Sequence, residues 1–199
     1  MRKTLLFMMV FEMAMVGWCG AGEYEAGLTV GDTSLYGSLH YKSRMMDGFW
    51  KAGGSGLYAD KDNIEYKWLE LDFSVGNETL QPGLVFDVGF KGILGDAELN
   101  PVSGDVGALA FSGKVAYILS SDITFIPIEA YVGISYAPQI LSFGDNENYL
   151  AYHVGLAFYI MDNAALVAEY DAYDVDMESG PGEWTLDDNV FRFGLKMHF

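Results

Sequence analysis

The sequence predicts an all-β fold, an eight-stranded antiparallel up-and-down transmembrane β-barrel, and three observations predict it. Apolar and polar residues alternate with a period of two along nearly the whole chain after residue 21. The alternating segments are joined by connections that are short and long in turn, the pattern of bacterial outer-membrane barrels. The N-terminus reads as an export signal, and no later run of apolar residues is long enough for a helical span.

Basic Met1-Arg2-Lys3 precedes the apolar run at 5–18, and Cys19-Gly20-Ala21 places small residues for cleavage after Ala21. Residues 1–21 are therefore expected to be a signal peptide, and 22–199 the barrel. The run is too short for a membrane anchor and contains Glu12. Trp18 before Cys19 disfavours lipidation there, since a small residue is needed. Cleavage would remove the single cysteine, and with it any disulfide or thiolate chemistry.

Apolar parity then defines eight segments: 33–42, 64–75, 83–93, 107–119, 123–136, 148–160, 164–173 and 190–199. The last is the clearest, with Phe191, Phe193, Leu195, Met197 and Phe199 on one side and Arg192, Gly194, Lys196 and His198 on the other. The connections at 43–63, 94–106, 137–147 and 174–189 read as long, and those at 120–122 and 161–163 as short. Residues 24–30 also alternate. An even strand number makes 22–32 a periplasmic lead-in or a lower extension of the first strand.

The apolar parity is expected to face lipid, because a Lys or Arg at mid-bilayer costs roughly 2–4 kcal/mol. The lumen then receives Glu70, Asp72, Asp87, Lys91, Lys114, Glu129, Tyr131, His153, Glu169, Asp171, Arg192 and Lys196. Eight strands leave an interior that side chains fill, so these charges are expected to pair and plug it. A narrow gated path for water or ions is the alternative. Tyr36, Tyr66, Trp68, Tyr117, Tyr136, Tyr149, Tyr152, Tyr159 and Tyr170 fall toward strand ends and are expected to form interfacial girdles.

Catalysis finds little support. Of His40, His153 and His198, His153 is the best base, with Glu129, Glu169 and Asp171 on neighbouring strands. It has no obvious nucleophile beyond Ser135, so a histidine within the ion network is favoured and no catalytic residue is assigned. The acidic stretches NETL, GDNE and AYDVDMESG lack the spacing of a calcium loop. They read as solvated acids meeting a cation-bridged lipopolysaccharide surface. No metal site or cofactor is expected. Met45, Met46, Phe49 and Trp50 are apolar within an expected loop and either extend the wall above the membrane or form a docking patch. A net charge of -17 excludes nucleic acid as a partner.

Residues 135–150, SYAPQILSFGDNENYL, and the continuation AYHVGLAFYIMDNAALVAEYD to Asp171 resemble the YfaZ family of outer-membrane proteins. The shared features are a strand ending in Tyr-Ala-Pro, then Leu-Ser-Phe, an acidic loop, a Tyr-Leu strand start and an Asn-Ala turn. The resemblance implies a small outer-membrane barrel of a Gram-negative bacterium, with no catalytic residues to carry over. Arg192, Gly194, Met197 and Phe199 resemble the C-terminal signal read by the outer-membrane insertion machinery.

The expected protein is thus a monomeric barrel in the outer membrane. Its lumen is filled with charge, and its structural or surface-interaction role runs through long extracellular loops. A narrow pore is the second reading. A lipid-modifying enzyme, needing His153, is the third.

Overall fold

The computed structural model describes residues 22–61, 63–78, 82–119, 124–179 and 182–199. The expected signal peptide with Cys19 and the expected turn at 120–122 lie outside the described residues. The strands are β1 (Gly22–Val30), β2 (Ser34–Met45), β3 (Gly48–Lys61), β4 (Ile64–Asn77), β5 (Leu84–Leu99) and β6 (Val102–Leu119). They continue with β7 (Ile128–Ala137), β8 (Ser142–Gly144), β9 (Asn146–Met161), β10 (Ala164–Ser179) and β11 (Gly182–His198). Neighbours pair antiparallel from β1 to β7; then β7 pairs with β9, β9 with β10, β10 with β11, and β11 with β1. Ten strands therefore close a barrel, and β8 is an extra strand on β6 above the end of β7.

The expected count of eight was wrong in two places. The lead-in at 24–30 is a full barrel strand, with Gly27 opposite Ser38 on one side and Lys196 on the other. The expected loop at 43–63 contains the whole of β3. That strand, GFWKAGGSGLYADK, has small residues on both faces, so no hydrophobic alternation announces it. Its backbone is nevertheless paired along its length with β2 and β4, as main-chain groups in a barrel wall must be. Met45 and Met46 sit in the β2–β3 turn at the end that holds Gly22 and Phe199, not above the wall. Phe49 points inward and is buried, while Trp50 lies outside, stacked on Phe73 at 6.3 Å.

The expected sorting into long and short loops also fails. Most of 94–106 and 174–189 is strand, extending β5, β6, β10 and β11 well beyond the apolar parity. The reason is an inversion of phase. Along lower β10, Leu166 and Tyr170 face outward; above Ala172 the inward residues Tyr173, Val175 and Met177 are the apolar ones, and Asp174 and Glu178 are exposed. Two consecutive apolar residues mark the same switch on other strands: Leu57-Tyr58, Trp68-Leu69, Ile93-Leu94, Tyr149-Leu150 and Val190-Phe191, each with its first member buried. Below this waist the barrel is apolar outside and polar inside. Above it the arrangement is that of a water-soluble protein, with an apolar core inside.

That upper core draws on opposite walls: Leu57, Ala59, Tyr66, Trp68, Ile93 and Val106 pack with Tyr149, Tyr173, Val175, Met177 and Leu186. Trp68 is its hub, with ring centroids 4.7 Å from Tyr66, 5.3 Å from Tyr173 and 6.1 Å from Tyr149. The expected girdle therefore divides. Tyr117, Tyr136, Tyr152 and Tyr170 are exposed on the outside, whereas Tyr36, Tyr66, Trp68, Tyr149 and Tyr159 point inward and serve the interior. The plug is accordingly aromatic above and charged below.

Two seams complete the upper wall. Where β7 stops, the turn Asp145-Asn146 bridges β6 and β10. The Asn146 side chain donates to the Gly107 carbonyl at 3.0 Å, Asp145 Oδ2 accepts from the Asp105 N–H at 2.9 Å, and the Glu178 N–H donates to the Asp145 carbonyl at 2.7 Å. Gly144, at φ +79°, allows the turn; a Cβ there would lie 2.8 Å from the Asp105 carbonyl oxygen. Above the β1–β2 turn, Lys61 and the Tyr66 hydroxyl both bind Asp188, at 3.1 and 2.9 Å, and so link β3 and β4 to β11.

Candidate functional site

Period-two geometry delivers the polar parity of each lower strand to the lumen, and the sequence-predicted set meets there with one exception. Arg192, 1% exposed, is the centre. Its Nη2 lies 2.6 Å from Asp171 and its Nε 3.4 Å from Glu169, while the guanidinium sits over the Tyr36 ring at 5.0 Å. Glu169 also accepts from the Thr29 and Tyr131 hydroxyls at 2.7 and 3.0 Å. Lys91 binds Glu70 at 2.9 Å, and the Ser55 hydroxyl donates to the same carboxylate at 2.8 Å. Lower down, Lys114 pairs with Glu129 at 3.4 Å and covers the Tyr131 ring; Tyr159 donates to Glu129 at 2.7 Å. Lys196 lies 3.0 Å from Glu25. Each of these charges thus has a counter-charge, in keeping with the high cost of an unpaired buried ion.

Asp72 is held by His40, to which the sequence reading assigned no partner. His40 Nε2 lies 2.8 Å from Asp72 Oδ1, although β3 separates their strands. The bond passes over Gly53, the register partner of both residues. A Cβ at Gly53 would come within 2.5 Å of the His40 ring, so only glycine permits the crossing. His153, the candidate base, makes no hydrogen bond or ion pair among the described residues and faces the Tyr131 ring at 6.2 Å. Ser135 lines the same cavities, but no serine among the described residues hydrogen-bonds to His153. Asp87 is the exception among the predicted charges, lining the lumen without an ion pair among the described residues.

The functional residues that the sequence reading missed are Glu25, Lys51 and Ser55. They lie on β1 and β3, the two strands taken for a lead-in and a loop. Parity within a recognised strand would have assigned all three to the lumen.

Among the described residues, two adjoining cavities of about 160 and 80 Å³ lie in the lumen. Tyr36, Lys91, Ser135, His153 and Glu169 line both, and the smaller ends among Tyr149, Asp171 and Tyr173 at the base of the aromatic core. Among the described residues the polar interior is thus lined by charge in the lower zone and covered above by Trp68 and its neighbours.

No family model matches the sequence, and no curated protein matches it. Among solved structures the chain is similar to the NanC porin at 11% identity and a TM-score of 0.45, covering 89% of this chain and 99% of that one. It is similar to the outer-membrane-expressed OmpT of Vibrio cholerae at 17% identity and a TM-score of 0.40, covering 83% of this chain and 56% of that one. For the copper transporter OprC the values are 15% and 0.33, covering 89% of this chain and 34% of that one. At these scores they carry no argument about this barrel.

Proposed function

We propose that the protein is a small outer-membrane barrel, non-conducting and non-enzymatic, that spans the membrane with its lower zone and presents its upper zone outside the cell. The inversion of phase at the waist carries this reading. A band of Phe, Leu, Val and Tyr wrapped around a charged interior is unfavourable in water and favourable in lipid. The expected surface role passes from loops to strand extensions, chiefly the outer face of upper β10–β11 with Asp174, Asp176, Glu178, Glu183 and Asp187. Such a face fits the cation-bridged lipopolysaccharide surface. The resemblance to YfaZ proteins, resting on residues 135–171, belongs to the same proposal.

The aromatic core packed across the upper lumen favours a closed barrel over a narrow pore. Purified wild-type protein in planar bilayers is expected to give no discrete conductance steps. The double variant Trp68→Ala, Tyr149→Ala is expected to give them, provided the barrel still shows heat-modifiable gel migration. Steady wild-type channels would overturn the closed reading. His153→Ala is expected to leave lipid A masses unchanged; a change there would restore the enzyme.

The insertion machinery remains the proposed assembly partner, through Arg192, Gly194, Met197 and Phe199. Phe199→Gln keeps the backbone bonds between Phe199 and Tyr24, at 2.8 and 3.0 Å, and removes only the ring. It is expected to lower the amount of folded protein in the outer membrane while leaving refolding in detergent intact. Equal loss in both would assign the ring to folding instead.

A further inference from the structure

We propose that the larger lumen cavity binds a small zwitterionic solute of the α-amino acid class, its carboxylate on Lys51 and its ammonium on Asp87. The proposal rests on the closed-barrel reading for one point only: the solute enters from the lower end and is held rather than passed.

The walls carry four lysines, Lys51, Lys91, Lys114 and Lys196, and four carboxylates, Glu25, Asp72, Asp87 and Glu169, so the ligand they suit is neutral overall. Six of these eight have a protein partner. Lys91 is on Glu70, Lys114 on Glu129, Lys196 on Glu25, His40 on Asp72, and Arg192 on Glu169. Of the eight, Lys51 and Asp87 alone have no hydrogen-bonded or ion-paired side chain among the described residues, and they are opposite in sign. A simple cation or anion would answer one and leave the other without a counter-charge. A molecule with both charges answers both.

The wall beside Lys51 supplies further unmet polarity. Ser74, its register partner on β4, is 4% exposed with an unpartnered Oγ, and His40 is 8% exposed with an unpartnered Nδ1. Both line the cavity. Its volume of about 160 Å³ compares with the roughly 150 Å³ that holds a six-carbon ring, room enough for glycine or alanine. The aromatic roof closes the upper end.

The test uses the full barrel refolded in detergent, with glycine as the probe in saturation-transfer NMR and acetate and methylammonium as single-charge controls. Glycine is expected to show saturable binding, about tenfold or more tighter than either control, since one charge contact is absent from each. Lys51→Met and Asp87→Asn are each expected to weaken it by a similar factor. The double swap Lys51→Asp, Asp87→Lys is expected to restore it. Absence of saturable glycine binding to folded wild-type barrel would overturn the proposal, as would acetate binding as tightly as glycine. Neither result depends on the variants folding. Conductance steps with glycine binding intact would overturn the closed barrel and leave the site standing; no conductance with no binding would do the reverse.

Discussion

Arg192 shows how far one side chain can serve the lumen. It faces two carboxylates, Asp171 at 2.6 Å and Glu169 at 3.4 Å, with almost none of its surface exposed. Removing it leaves two buried anions around Tyr36 with no cation in contact, a change that costs about 3–5 kcal/mol in buried networks. Arg192→Met is therefore expected to lower the urea midpoint of the refolded barrel markedly. Arg192→Met combined with Asp171→Leu and Glu169→Gln should recover most of the loss. Without that recovery, the side chain's packing rather than its charge would be the cause. Asp174, on the outer face above the waist, lies directly opposite Asp187. Partial burial, then Asp176 and Asp187, raises its carboxyl above the ordinary range. A raised folded-state pKa means that the folded hairpin takes up the proton more readily than the unfolded chain. The resulting stabilisation is full below the unfolded pKa and is lost as pH rises through the folded one. Asp174→Asn should thus slow amide exchange in upper β10–β11 at neutral pH, by an amount worth about 0.5 kcal/mol for a like-charge cross-strand pair, and the difference should shrink on acidification. A difference that grows in acid would reverse the assignment.

The β10–β11 hairpin also shows why strand ends were harder to read than strands. The segment 164–173 was legible because one parity is apolar throughout. Beyond it, YDVDMES alternates just as regularly, but with the apolar residues on the other parity. A search for continuing phase reads a loop where the physical chemistry says that the outside solvent has changed. The charged lumen was legible for the same reason, from Glu70 to Lys196, because a lipid-facing parity dictates its complement. β3 was not legible, since Gly53, Gly54, Ser55 and Gly56 carry no hydrophobic signal and the strand is specified by its neighbours' ladders. The crossing of His40 to Asp72 over Gly53 could not be read without that pairing. Gly53→Val is accordingly expected to break the His40–Asp72 bond. The loss should appear as a change in the ring NMR shifts of His40, while Gly56→Val, whose Cβ meets nothing within 4 Å on the outside, should leave those shifts unchanged. Equal effects from the two would show that β3 as a whole, not the crossing, had been disturbed.

For the molecule as a whole, the two zones make opposite demands on solvent, and tryptophan can report on both. Trp50 is on the outer face of the lower zone, in contact with Phe73 and Tyr41. Trp68 is 3% exposed at the centre of the upper core, and Trp184 packs against that core from β11. Brominated acyl chains quench only indoles that they touch. In vesicles of brominated phosphatidylcholine, quenching should therefore be dominated by Trp50. Trp50→Phe should remove most of it, whereas Trp68→Phe should leave the quenched fraction larger than in wild type, because a protected indole is gone. Aqueous iodide should reach none of the three efficiently, since the belt shields one and the core the others. If Trp68 were quenched by lipid and Trp50 by iodide, the apolar band would not be the membrane face. The barrel would then be inverted relative to the solvent order that its exterior and interior residues require.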